Sequence, residues 1–190
     1  MTNSTVNITQ NRMEHNFNWD ASVFFERLTA TNRHAREHGY EFVRVSSLEG
    51  FQGALDKMYS AKAIVAMCDT SQGYIEIDNT PHVRRVKTVF LAMRHAEDSM
   101  EDRECCMANM RELFRQFMSV LLMERTRLSE QCIFLDERIH FNEIDRYFFT
   151  GCACAYFQIA VDTYANLAFN RDEWLPENEV FDSSFTIQFD

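Results

Sequence analysis

The stretch from Val83 to Val161 constrains the fold more than any other part of the chain. Val83, Lys87, Val89, Leu91 and Met93 share one parity, with Arg85 the exception, while Arg84, Val86, Thr88, Phe90 and Ala92 share the other. A charged start and an end that is apolar on both sides predict a strand entering the core from an exposed edge. An acidic turn follows. Ser99 and Asp102 then predict a capping box, with Asp in place of the usual Glu or Gln. Glu97, Asp98, Glu101, Asp102 and Glu104 crowd the first turn of the helix, where its dipole favours negative charge. Met107, Met110, Leu113, Phe114, Phe117, Leu121 and Leu128 recur at helical spacing, so the helix is expected over about Met100 to Leu128, with Arg125 and Arg127 at its basic end. Residues 151–163 form a second strand, with Ala155, Phe157, Ile159 and Val161 on one side and Tyr156, Gln158 and Ala160 on the other. The expected fold class is α+β: a small antiparallel sheet packed on a long amphipathic helix plus an N-terminal helix, with extended terminal arms.

The flanking segments fit around that unit. Residues 1–18 are rich in Asn, Thr and Gln and read as an arm. Asp20 is the expected N-cap of a helix carrying Val23, Phe24, Leu28 and Thr31 on its apolar side, with Gly39 as its stop signal. Residues 41–46 predict a short strand, 48–58 a short helix, and Lys62 to Cys68 a buried strand. Tyr74 to Ile77 reads as an extended edge or loop, before the turn Asp78-Asn79-Thr80-Pro81. Cys132 to Leu135 is a strand candidate, and residues 140–150 an irregular loop or hairpin arm. The domain reading is an arm over 1–18, a core over 19–165, and an acidic extension over 166–190. That extension ends in the alternating Phe185, Ile187 and Phe189.

Composition narrows the function classes. The chain has 190 residues, 17 Phe and 10 Met, enough apolar material for one core. A net charge of −10 argues against a free-standing nucleic-acid binder. It is compatible with a carboxylate-lined channel that lets a duplex slide without sticking. No export signal and no apolar run long enough to cross a bilayer are evident, so the six Cys are expected to be reduced.

Candidate chemistry is thin. Cys152 and Cys154 share one side of a strand, and His140, Cys132 and His95 are the obvious further metal ligands, but no zinc-site spacing appears. Small apolar packing against the long helix is the plainer expectation for the two thiols. Cys105 and Cys106 sit at a helix start whose carboxylates disfavour a thiolate. His95 beside Glu97 and Asp98 is read as a surface histidine, and His34 and His38 as a solvent-facing pair. No phosphate-binding loop or catalytic signature is present. No catalytic residue, metal or cofactor is therefore assigned. Arg84, Arg85 and Lys87 form a compact basic cluster suited to acidic patches on a neighbour. Phe185, Ile187 and Phe189 would form one apolar side of a terminal strand, which calls for a sheet edge.

An N-terminal helix, antiparallel strands, a long helix inserted before the last major strand, and arms at both ends together resemble one virion-protein class. These are the tail-terminator and head–tail joining proteins of long-tailed bacteriophages. The resemblance covers about Trp19 to Thr163. It is carried by the run from Arg84 to Arg94, the helix through Met110 to Phe114, and the strand from Ala155 to Val161. The acidic C-terminal extension and the cysteine content depart from the pattern. The resemblance implies a non-enzymatic structural protein that forms a homo-oligomeric ring at the neck. It would lie in the virion, after assembly in the host cytoplasm. Its partners would be neighbouring neck and tail-tube proteins, with DNA passing through unread and no membrane contact. The expected subunit-binding residues are Arg84, Arg85 and Lys87, the acidic Glu97, Asp98, Glu101 and Asp102, and the arm residues Phe185, Ile187 and Phe189. Two other classes stay open: a small apolar-ligand or regulatory binding module, and a Cys/His metal-dependent enzyme.

Overall fold

A computed structural model describes residues 19–45, 61–68, 72–77, 80–144 and 151–168. The helix expected over 48–58, the N-terminal arm and the C-terminal strand lie outside these residues. The described chain runs α1 (Ala21–Thr31), α2 (Arg33–Glu37), β1 (Tyr40–Val45), β2 (Ala63–Cys68), β3 (Gln72–Glu76), β4 (His82–Arg94), α3 (Met100–Ser129), β5 (Ile133–Leu135), β6 (His140–Ile144) and β7 (Cys152–Tyr164).

The α+β class holds, but the sheet differs from the expected small antiparallel one. It has seven strands in the order β1-β2-β4-β7-β5, with β3 on β4 and β6 on β7. It is also mixed, because β1 and β2 run parallel in the register Tyr40↔Ala63 to Val45↔Cys68. The long strands β4 and β7 pair along their full lengths, from His82↔Tyr164 to Arg94↔Cys152. Each carries two short strands end to end on its outer side. β2 and β3 line β4, and β6 and β5 line β7. Residues 140–144 are thus a paired strand rather than irregular chain.

Strand periodicity divides the core. On one side, Val65, Met67, Val89, Leu91, Ala155, Phe157 and Ile159 meet Met110, Leu113, Phe117 and Leu121 of α3 and Phe25 of α1. Burying each large side chain there contributes roughly 1.5–3 kcal/mol. On the other side, Ile64, Ala66, Phe90, Ala92 and Cys154 form a second cluster, with Cys152 and Tyr156 packed against it. Cys152 and Cys154 therefore do not pack on the long helix. The strand's two-residue period gives that side to Ala153 and Ala155 instead.

The start of α3 follows its sequence signal with one change. Ser99 Oγ accepts from the Asp102 backbone N–H at 3.1 Å. Asp102 Oδ2 reaches past the cap to accept from the Ala96 N–H at 2.7 Å. The shorter Asp side chain thereby closes the preceding turn rather than the capping box itself.

Asp20 caps α1 by accepting from the Ser22 and Val23 N–H groups. The buried side of α1 is Ala21, Ser22, Phe25 and Thr29, whereas Val23 is exposed. Phe25 sets this rotation, because its ring meets Phe117 and Phe157. The helix also ends earlier than Gly39. Asn32 adopts an extended backbone and its side chain caps α2 by accepting from the Ala35 N–H at 2.7 Å.

Candidate interaction surfaces

The basic cluster sits on the outer half of β4. Arg84 is engaged within its own chain, donating to Asp162 Oδ2 at 2.9 Å and forming a second ion pair with Asp136. Desolvation opposes its charge, and the two carboxylates more than offset this, raising its pKa. Asp136 is held below the usual carboxylate range, first by the Arg138 N–H and then by Arg84. Arg85 is exposed, with Nη1 3.5 Å from Thr163 Oγ1. Lys87 is partly buried two positions further along the strand.

Glu97, Asp98, Glu101 and Asp102 are exposed just beyond the opposite end of β4. Strand rise puts Arg84 and Arg94 on the order of 33 Å apart. The two charge groups therefore lie at opposite ends of one copy. Asp102 is also committed to the α3 cap. Phe185, Ile187 and Phe189 lie outside the described residues.

Two further surfaces were not assigned to binding from the sequence. The first is β3, where Tyr74 to Ile77 reads as an extended edge or loop. All five of its residues are exposed. Tyr74 on one side and Ile75 on the other are 58% and 52% exposed, and Ile77 just after the strand is 79% exposed. β4 fills its inner edge, and no described strand pairs with its outer edge. Gly73 permits the close approach to β4, since a Cβ there would lie 1.9 Å from the Arg84 carbonyl oxygen.

The second is a groove between the C-terminal half of α3 and the chain around β5. Its volume is about 190 Å³, and Phe114, Met118, Leu121, Leu122, Leu135 and Ile139 provide its apolar lining. Arg125 and Glu137 also line it and pair at 2.7 Å. Leu122 belongs to the groove, and Met123 beside it is 75% exposed. The run Leu121-Leu122-Met123 was the available signal, because only Leu121 falls on the helical stripe. For Arg84 the corresponding signal was Asp162, a lone carboxylate late in an apolar strand.

The histidine pair is docked rather than solvent-facing. The His34 and His38 rings lie 4.4 Å apart, and His34 Nε2 is 3.0 Å from the Asn109 carbonyl of α3. Burial, then His34 and Lys62, lower the His38 pKa from 6.5, while Glu37 opposes them. The folded chain thus binds protons less readily at His38 than the unfolded chain. Stability from neutral His38 is complete above 6.5 and is lost as pH falls through the lower folded value. A separate loss is expected below about 4.5, where Glu112, Glu124 and Glu143 lose their partners Arg115, Arg127 and Arg111. Thermal melts from about pH 7 to 5.5 should decline in the native chain and flatten in His38→Gln. An unchanged slope in the variant would remove His38 as its source.

His95 Nδ1 lies 2.8 Å from the Ala96 carbonyl. None of the six cysteines is joined in a disulfide. Burial pushes the Cys154 thiol up to about 12 and the Cys106 thiol up to about 11. Among the described residues, no three His, Cys, Asp or Glu side chains come together as a metal cluster. No described helix is long and apolar enough to cross a membrane. No protein-family model matches the chain, and comparison with curated proteins gives no match.

Proposed function

We propose that this chain is a structural assembly protein that forms a homo-oligomeric ring at the neck of a long-tailed bacteriophage, terminating the tail tube or joining tail to head. The observation that carries this reading is the pairing of two unlike apolar surfaces on opposite sides of the long strands. The β3 edge lies on the outer side of β4, and the α3 groove lies beyond β7. Unlike surfaces set on opposite sides of one copy favour contact with a different neighbour on each side. They associate head to tail, and such contacts close into rings when the rotation permits. The separated charges add support, since the basic Arg85 end of one copy suits the acidic Glu97–Asp98 end of another. DNA would pass the predominantly acidic surface without being read, and neighbouring neck and tail-tube proteins would contact the ring.

Mass measurement in solution and negative-stain imaging test the proposal, with closed rings as the expected result. Leu122→Glu with Met123→Glu should reduce the species to monomer. The melting temperature of the monomer should barely move, because exposed substitutions usually change stability by no more than about 0.5 kcal/mol. A native chain that stays strictly monomeric at high concentration would remove the ring.

The groove gives a second reading, an apolar-ligand module. Its volume of about 190 Å³ falls short of the ~300–1,000 Å³ common for small-molecule pockets. A protein side chain fits that space better than a drug-sized ligand does.

A further inference from the structure

We infer that residues 184–190 of one copy add a strand to the outer edge of β3 in the next copy. The inference rests on the head-to-tail reading and names the edge and the segment that meet. Three observations lead to it.

The first is the edge itself. Its row of outer backbone groups has no partner among the described strands, and its apolar side chains lie open on both sides. An unblunted edge of this kind is a template for strand addition.

The second is the segment. Phe185, Ile187 and Phe189 alternate with Thr186, Gln188 and Asp190. Laid beside β3, one side of that strand would cover Ile75 and Ile77. The polar side would lie with Tyr74 and Glu76. The connection over 169–183 carries Asp172, Glu173, Glu177, Glu179 and Asp182 against a single Arg171, and Arg85 is exposed on the strand next to β3.

The third is where the chain leaves the sheet. Glu76, His82 and Tyr164 form one row across β3, β4 and β7, so β7 ends about 10 Å from the edge. The Ala165 N–H continues that row by donating to the Pro81 carbonyl at 2.9 Å. The connection over 169–183 spans on the order of 50 Å when extended, far more than a return to the same β3 requires. A return within one chain would also leave both sides of β3 without a packed layer, since all five of its residues are exposed. A neighbouring copy brings its own body to cover Tyr74, Ile75 and Ile77.

Hydrogen exchange over residues 72–77 tests this, read together with mass in solution. The full chain is compared with one ending at Ser183 and with Gly73→Ala. In the latter, the added Cβ meets the Arg84 backbone and must displace β3 without touching a buried side chain. Truncation should speed exchange at 72–77 by about tenfold or more and lower the assembled mass. Added synthetic peptide of residues 180–190 should restore the protection. Gly73→Ala should lower the mass as truncation does while keeping the core's melting transition.

Unchanged exchange after truncation overturns the edge assignment, and rings that persist in that case leave the neck reading standing. Faster exchange from a full chain that was already monomeric assigns the segment to its own β3. That result overturns both the exchange between copies and the ring.

Discussion

Phe157→Ala is expected to lose about 3–5 kcal/mol of folding stability, a large part of the ~5–15 kcal/mol margin of a typical domain. Phe157 is fully buried at the centre of β7. Its ring lies 5.6 Å from Phe25 and 5.2 Å from Phe114. Phe25 continues the cluster to Phe117 at 5.8 Å, and Phe114 continues it to Phe141 at 4.4 Å. One ring therefore joins α1, α3, β6 and β7.

The cost depends on whether the walls can collapse into the space left behind. Here they are pinned from several sides. Asn32 donates to Gln116 at 2.8 Å, tying the end of α1 to α3. Arg111 holds Glu143 with two hydrogen bonds at 2.6 and 2.7 Å, tying α3 to β6. The cavity should persist, placing the loss toward the upper end of the range. Phe157→Leu keeps most of the volume and should cost roughly 1–2 kcal/mol. Denaturant midpoints at constant slope measure both. An alanine variant within about 1 kcal/mol of the native chain would mean that this cluster does not hold the helices to the sheet.

Phe157 was legible from sequence because it lies on a two-residue alternation, and β2 because it is a short continuous apolar run. The stripe of α3 was legible for the same kind of reason. Pairing direction was not, since a strand's period is identical whether its neighbour runs parallel or antiparallel. Thus β1 beside β2 gave no warning of a mixed sheet. The face of α1 was misread because Ala21, Ser22 and Thr29 carry little hydropathy signal, while exposed Val23 carries a strong one. The interaction surfaces were the least legible. The openness of β3 follows from which strands lie beside it, and its five residues do not reveal that. Arg84 stood out as a charge, but its partners lie 52 and 78 residues away.

Arg84→Met is expected to lower stability by about 1–3 kcal/mol near neutral pH. Two effects add. The variant loses charge-assisted hydrogen bonds to Asp136 and Asp162, and it leaves both carboxylates without the guanidinium they shared. Side-chain exposures of 24%, 31% and 26% for Arg84, Asp136 and Asp162 keep solvent screening in play, so the loss stays below that of a fully buried pair.

The sign with pH is fixed by Asp136. Its folded pKa lies below 3.8, so its contribution is present above that value and fades as pH falls through the folded one. The gap between native chain and variant should therefore be widest at neutral pH and close on acidification. Asp136→Asn and Asp162→Asn placed on Arg84→Met should each recover part of the loss, because each removes one uncompensated charge. The same variant separates two roles for the basic cluster. If Arg84 chiefly braces β4 against β7 and the chain after β5, the monomer's unfolding midpoint falls and association per folded chain is unchanged. Lost association with an unchanged midpoint would return Arg84 to the subunit contact that its sequence neighbourhood first suggested.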